Sequence, residues 1–470
     1  MSTSNTDFAI DIEAAAEPRE VVTVLERHWQ ARMVQAFLEA NGISAWLNTR
    51  GAEAVADPAL VIGGHEVAVR RSDVDIAREL VASGSAGVEA EAPADEGAER
   101  VEARLMELLA FECVTGGEEP IADWLADRCL KRGEEVARVG NSLVVGHVDD
   151  ARPTVLLVGH LDVVPATEAD RSPRLGPERV VGRGASDMKS GLAVALDCFE
   201  DTDLRAGPYN LLLVAYAGEE GPAETNELPA LLEGVPELGV ADLAVVLEPT
   251  DLTVQLGCLG GLHAEVTVSG SAAHSARPWY GENALTKAGS LLSWLHQRQP
   301  APVRVGGLAY HEVITATQAW TANARNVVPA AFTLNVNYRF APHRTLQEAE
   351  KRLRHLLGSD GDVEIVDRAL PAPPGHDDEL VNAFVTSVGA PVEGKQAWTD
   401  VARLVDAGVP ALNYGPGLAA QAHVAGEYVP RGSLTTARLA LARFLAIHPA
   451  ELTGEAVFEA DSASSGLDRG

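Results

Sequence analysis

The chain has 470 residues, 46% of them hydrophobic, and a formal net charge of −31. That apolar content excludes a disordered chain, and so acidic a surface repels nucleic acid and anionic lipid, so neither is an expected partner. Four widely spread cysteines, Cys113, Cys129, Cys198 and Cys258, form no CxxC pair, which argues against a disulfide framework and a thiolate metal site.

In chain order, the first stretch, "MSTSNTDFAIDIEAAAEPRE", is polar and acidic, without the basic start and apolar stretch of a secretory leader. No apolar run is long enough to span a bilayer, so no membrane partner and a cytoplasmic location are expected. Residues 1–19 read as a disordered acidic tail. "VVTVLE" reads as a strand. "RHWQARMVQAFLEANG" reads as a helix, with Trp29, Met33, Val34, Phe37 and Leu38 at helical spacing and Asn41-Gly42 as its C-cap. "ISAWLN" and "HEVAVR" read as strands, and "SDVDIARELVAS" as a second helix with Ser72 as N-cap. Residues 20–84 thus form a small β-α-β-β-α module. Its order resembles a small signal-transducing domain found alone or fused to enzymes. It carries no catalytic set, so a docking or oligomerisation role is expected.

Residues 85–98, small, acidic and proline-containing, form a linker by composition. A larger α/β region, 99–256, opens on the amphipathic helix "VEARLMELLAFE", with Val101, Leu105, Leu108 and Leu109 inward. The apolar strands "TVLLVGHLD", "LLLVAYAGEE" and "LAVVLEPT" follow, with helical stretches such as "DMKSGLAVALDCFE" between them. That alternation predicts a mostly parallel sheet covered on both faces. From 257 to 367 the pattern changes. "LHAEVTVSG" and "AFTLNVNYRF" alternate apolar and polar, separated by the helical stretches "NALTKAGSLLSWLHQ" and "TLQEAEKRLRHLLG". This reads as an inserted α+β domain, a lid or dimerisation element. Residues 368–448 return to the first domain through "WTDVARLVDAGVPALNYGPG" and the helix "TTARLALARFLAIH", and 449–470 read as a disordered tail. The predicted class is α/β.

Three of the buried strands end in metal-ligating residue types: His160 and Asp162, then Glu219 and Glu220, then Glu248. Sites in open α/β sheets form beyond the carboxyl ends of strands. Asp187, in the glycine-rich turn "GRGASDMKSG", and His423, in "QAHVAGEYV", are further candidates for that edge. Histidine and carboxylate without thiolate suit Zn²⁺ at a catalytic site. Two histidines and three carboxylates exceed what one tetrahedral ion with an open position needs. They fit two ions sharing a carboxylate, about 3.5–4 Å apart, which would polarise a carbonyl and acidify a water. The adjacent Glu219 and Glu220 then divide the work. Neighbours leaving a strand point in different directions, so one can bind metal while the other, not consumed as a ligand, takes a proton.

"GHLDVVP", "GRGASDMKSG", "EEGPAE", "LEPT", "AAHSARPWYGENA", "RNVVP", "NYRFAP", "WTD" and "GPG" resemble, in order and spacing, the dinuclear zinc peptidase and deacylase family. The resemblance spans about 99–449. The family includes aminoacylase, acetylornithine deacetylase, carboxypeptidases and succinyl-diaminopimelate desuccinylase; "AAHSARPWYGENA", "NYRFAP" and "WTDVAR" look most like the actinobacterial desuccinylase type. The resemblance implies two Zn²⁺, with Co²⁺ or Mn²⁺ as substitutes. His160, Asp187 and Glu248 would hold the first and Glu220 and His423 the second, with Asp187 bridging. Glu219 would be the base and then the acid, and Asp162 would orient His160. His274 would reach the partner subunit's site and stabilise the oxyanion, which implies a homodimer through the inserted domain. Asn326 and Arg339 would contact the substrate carboxylate or the oxyanion region, Arg339 having a structural salt bridge as its alternative. Thr399 would bond the substrate backbone or cap a helix.

Two departures stand out. Gly426 precedes Glu427 where the family usually has Asn, and Cys258-Leu259 stands where proteobacterial desuccinylases carry arginines, removing a cationic handle for a dianionic substrate. Cys258 itself reads as a small buried hydrophobe. The implied reaction is hydrolysis of an N-acyl amino acid, first N-succinyl-L,L-2,6-diaminopimelate. The alternatives are acetylornithine deacetylase, aminoacylase or carboxypeptidase activity, or a non-catalytic binding or signalling protein.

Overall fold

The computed structural model describes residues 19–25, 38, 43, 45–49, 65–78, 96–149, 151–358 and 361–448. The chain divides into two compact units, Met1–Ala94 and Asp95–Gly470. In the first, a three-stranded antiparallel sheet has His65–Arg70 between Arg19–Leu25 and Ala45–Thr49. Val67 and Val69 on the central strand pack with Leu38, Ile43, Ala45, Val74 and Ala77. Of the expected first helix only Leu38 is described, in helical conformation, and the Asn41-Gly42 cap lies outside the described residues. Ser72 does not take the N-cap position expected of it. It lies inside a 3-10 turn, Arg71–Asp73, for which Arg70 is the N-cap.

The second unit begins earlier than its composition suggests: the helix Glu96–Leu109 takes the last positions read as linker. Its main sheet has eight strands, in the order Val392–Gly394, Val254–Leu256, Ala411–Asn413, Leu243–Val246, Thr154–His160, Asn210–Tyr216, Ser142–Val145 and Val136–Val139. The four central strands, Ala411–Asn413 to Asn210–Tyr216, run parallel, and antiparallel pairs flank them. Every position of Thr154–His160 and Asn210–Tyr216 is buried. Alternate residues serve opposite faces. Leu157, Leu211 and Leu213 join one core with residues of the helices Glu96–Leu109, Lys189–Glu200 and Arg431–Ala446. Leu156, Leu212 and Val214 join the other with the helices Leu228–Gly234 and Val401–Asp406. This is the expected doubly covered sheet.

A second, five-stranded antiparallel sheet lies between the Val254–Leu256 and Val392–Gly394 strands in sequence. Its order is Ala301–Val305, Leu308–Trp320, Ala331–Phe340, Gly260–Ser269 and Asp362–Ala369. Leu262, Ala264, Val266 and Val268 alternate inward on Gly260–Ser269 and pack with Leu291 and Leu353 from the helices. The helix read through "NALTKAGSLLSWLHQ" is broken in two, Ala284–Lys287 and Gly289–Gln297, with Gly289 starting the second. Glycine is a weak helix residue. Among the described residues no helix is long and apolar enough to cross a membrane.

Gly191 brings the helix Lys189–Glu200 against the strand that leads to Glu248. A Cβ built on it would stand 2.1 Å from the Leu247 carbonyl oxygen. Backbone cannot swing aside as a side chain can, so Gly191→Ala should lower the unfolding free energy by roughly 1–3 kcal/mol. Denaturant unfolding measures this, and an unchanged midpoint would contradict the close packing.

Candidate metal centre

Parallel register levels the strand ends. His160 pairs with Tyr216 and Val158 with Val246, so the chain leaves three neighbouring strands at one edge. The residues that follow carry the predicted side chains. One oxygen or ring nitrogen from each of His160, Asp187 and Glu248 lies within 4.8 Å of the others, and Asp187, Glu220 and His423 form a second such group. Asp187 belongs to both. His160 Nε2 is 3.3 Å from Asp187 Oδ1, and His423 Nε2 is 2.8 Å from Glu220 Oε2 and 3.8 Å from Asp187 Oδ2.

The orientation of His160 is specific. Its Nδ1–H donates to the main-chain carbonyl of Asp162 at 2.9 Å, which leaves Nε2 facing Asp187. Asp162 meets the His160 ring through its main chain. Its carbonyl, not its carboxylate, holds the ring; carboxylate Oδ1 is 3.7 Å from Nδ1. The fully buried carboxylate instead accepts the N–H groups of Glu219 and Glu220, each at 3.0 Å, and the Thr115 hydroxyl at 2.8 Å. Asp162 therefore anchors the turn that presents the glutamate pair.

The cluster is electrostatically unbalanced as protein alone. Burial pushes Glu248 up to about 7, with the Asp187 charge adding to the rise. Burial also raises Glu219 well above the usual carboxylate range, with help from Glu248, Asp400 and Asp187. Glu220 is raised by burial and by Asp187. Burial alone would make His160 less basic, but its hydrogen bond to Asp187 and the charges of Glu219 and Glu248 raise it well above the imidazole range. Asp187 moves down despite burial, through its hydrogen bond to His160 and the charges of His160, His423 and Lys395. Carboxylates held this close resist ionising together. Divalent cations relieve that strain, and the donor set, imidazole and carboxylate without thiolate, fits two of them. Glu219 is in neither group.

His274, Asn326 and Arg339 are not among these clustered side chains. His274 is exposed, in a short ribbon that pairs Ala273–His274 with Val327–Val328, and its Nδ1 accepts the Ala276 N–H at 3.1 Å. The Asn326 carbonyl accepts the Ser275 N–H at 2.9 Å, tying down the same loop. Arg339, on the five-stranded sheet, donates from Nε to Asn337 Oδ1 at 3.2 Å. Thr399 does not use its hydroxyl as a helix cap. Its Oγ1 is buried without a partner among the described residues, and its carbonyl accepts the Ala402 N–H at 3.1 Å. Cys258 is fully buried, its thiol pushed up to about 11 by burial, as its reading as a small hydrophobe requires.

Three supporting residues escape a reading of strand ends. Glu427 accepts the N–H groups of Gly184, Ser186 and Asp187, at 2.8–3.0 Å, and pairs with Arg183 at 2.9 Å. It shapes the Asp187 loop from 240 residues away in sequence; the only sequence signal was its place after His423. Buried Asp400 accepts from the Tyr216 hydroxyl at 2.7 Å and from Asn226 at 2.9 Å, behind Glu219. Lys395 is a buried cation beside the first group.

Residues 156–447 match the profile of peptidase family M20/M25/M40. A Mycobacterium tuberculosis protein provisionally named succinyl-diaminopimelate desuccinylase DapE is 37% identical over 331 residues, 70% of this chain and 93% of that one. A Corynebacterium glutamicum succinyl-diaminopimelate desuccinylase is 35% identical over 344 residues, 70% of this chain and 92% of that one. A tripeptidase from Staphylococcus aureus superposes with a TM-score of 0.62 over 75% of this chain and 99% of that one, at 19% identity, which is a likeness of fold. The matched profile spans every residue of both candidate groups, and the chain belongs to peptidase family M20/M25/M40, hydrolases of amide bonds.

Proposed function

We propose that the chain is a zinc-dependent desuccinylase that hydrolyses N-succinyl-L,L-2,6-diaminopimelate to succinate and L,L-diaminopimelate. The observation that carries this reading is the isolation of Glu219: a carboxylate shifted towards protonation, beside both ligand groups and a member of neither. The 35–37% identity to proteins named for this activity supports the choice of substrate. His160, Asp187 and Glu248 would hold one Zn²⁺, and Asp187, Glu220 and His423 the second, with Co²⁺ or Mn²⁺ as substitutes. Bound ions supply polarisation of the amide carbonyl and acidification of water.

The protein's own groups do the rest. Glu219 accepts a proton as the water oxygen bonds to the succinyl carbonyl carbon. It returns that proton to the nitrogen as the C–N bond breaks, and the new carboxyl group gives its remaining proton to the amine, so succinate and an ammonium leave. The carboxylate of Asp162 fixes the backbone of Glu219 and Glu220 together, which keeps base and ligand in register. The exposed His274 lies beside Trp279 and Tyr280, which are 70% and 75% exposed, and this supports a homodimer in which His274 serves the partner's site. The reading places the enzyme in the cytoplasm.

Glu219→Ala should keep its zinc, measured by elemental analysis, while kcat for the succinyl substrate falls ~10²–10⁴-fold. Unchanged turnover would remove Glu219 from the proton transfer.

Metal affinity should depend on pH with a definite sign. Glu248 titrates near 7 and must lose its proton to ligate. Zinc affinity, read by competition with a chromophoric chelator, should therefore fall as pH drops below about 7, by about tenfold per unit for each proton displaced. An affinity flat across that range would contradict proton displacement at Glu248.

A further inference from the structure

Lys395 is only 6% exposed. It follows the strand Val392–Gly394, and its N–H donates to the Leu256 carbonyl at 3.1 Å. Its Nζ donates to the Pro249 carbonyl at 3.3 Å, one residue beyond Glu248. Among the described residues this is the single acceptor that the ammonium reaches, although it has three N–H groups to give. The positive charge is felt by Glu248, by Asp187 and by Cys258.

A buried ammonium with two idle donors is costly unless an anion completes it. The nearby carboxylates balance it only while they have no other partner. Two divalent ions would offset the four negative charges of Asp187, Glu220, Glu248 and ionised Glu219. Lys395 would then keep two donors without an acceptor beside the candidate metal centre. Thr399, four residues on, contributes a second idle donor, a buried hydroxyl without a partner among the described residues. The Thr399 carbonyl lies 3.9 Å from Cys258 Sγ, so Thr399 borders the same cysteine whose thiol senses Lys395. Cys258 and Leu259 are the positions where a cationic handle is missing from the sequence. The fold brings a cation to that place from another strand.

We propose that Lys395 binds a carboxylate of the substrate, with the Thr399 hydroxyl as a second donor to it; this rests on the desuccinylase reading. The succinyl end and the amino-acid end each offer a carboxylate, and the same chemistry would receive either. The test uses the zinc-loaded full chain with Lys395→Met and Lys395→Arg. One pair of substrates compares N-succinyl with N-butyryl on the same amino acid, exchanging a carboxylate for a methyl group. A second pair compares the free α-carboxylate with its carboxamide. In one pair, Lys395→Met should reduce the preference for the charged substrate roughly 10–100-fold, mainly through KM, with zinc content unchanged. Lys395→Arg should recover part of it. Equal losses on charged and neutral substrates in both pairs would overturn the proposal and leave Lys395 as a general counter-charge. Calorimetric titration with succinate and with diaminopimelate gives a readout independent of turnover. One of the two should bind Lys395→Met about tenfold or more weakly than wild type, and equal affinities for both would also overturn the proposal. A wild-type chain that cleaves none of the four substrates would overturn the desuccinylase reading instead, and the titrations would still decide for or against Lys395.

Discussion

Carboxylates repel one another, and at the edge of the main sheet the fold gathers four of them around one buried imidazole. His160 is 1% exposed, and the side chains of Glu220 and Asp187 are 5% and 13% exposed. In water such groups would separate. Here parallel register prevents it, because Thr154–His160 is hydrogen-bonded on one side to Asn210–Tyr216 and on the other to Leu243–Val246. The hydrophobic packing of two cores holds the strands, and the strands hold the charges together. Burial energy from apolar residues is thereby stored as electrostatic frustration at one site, and only positive charge releases it.

The same frustration explains the supporting shell. A carboxylate in a dry site is placed reliably only if something fixes its backbone, since repulsion pushes it outward. Asp162 takes two backbone N–H groups at the Glu219–Glu220 turn, and Glu427 takes three around Asp187. Both anchors are themselves anions, held by N–H dipoles and, for Glu427, by Arg183. Each adds negative charge to the surroundings of the cluster, which sharpens its demand for cations. Asp400, behind Glu219 and bonded to Tyr216 and Asn226, acts in the same sense by raising Glu219.

Much of the candidate metal centre was legible in the sequence because positions there follow from two local rules: an apolar run marks a buried strand, and its carboxyl end marks a site edge. His160, Glu220 and Glu248 all obey both. Asp187 and His423 sit on loops, where the sequence offered them as candidates for that edge and the resemblance gave them their roles. What stayed illegible depends on contacts between distant segments. Lys395 follows an edge strand of three residues, too short to announce itself, and its neighbour Pro249 lies 146 residues earlier. Asp162 was read beside His160 without an atom, because a sequence never shows which carbonyl will meet a ring nitrogen. The 3-10 turn at Ser72 is a boundary difference of a residue or two, and the break at Ala288 splits a stretch read as one helix, where propensity alone decides little.

The two ligand groups are unequal, and the inequality has a structural origin. The first is built from the ends of two buried strands and a turn that Glu427 clamps. The second shares Asp187 and takes Glu220 from an anchored turn, but closes with His423, which is 57% exposed. His423 lies beyond the last parallel strand, in a loop, with a left-handed backbone at φ +61°. Such a conformation is uncommon for a non-glycine residue and is kept where the surroundings demand it. An exposed side chain on a loop is screened by water, whereas His160 is not. The candidate centre thus has a dry half that sets charge and a wetter half facing the solvent. Asp187 belongs to both halves, and the anchoring of its loop by Glu427 therefore governs the spacing between them.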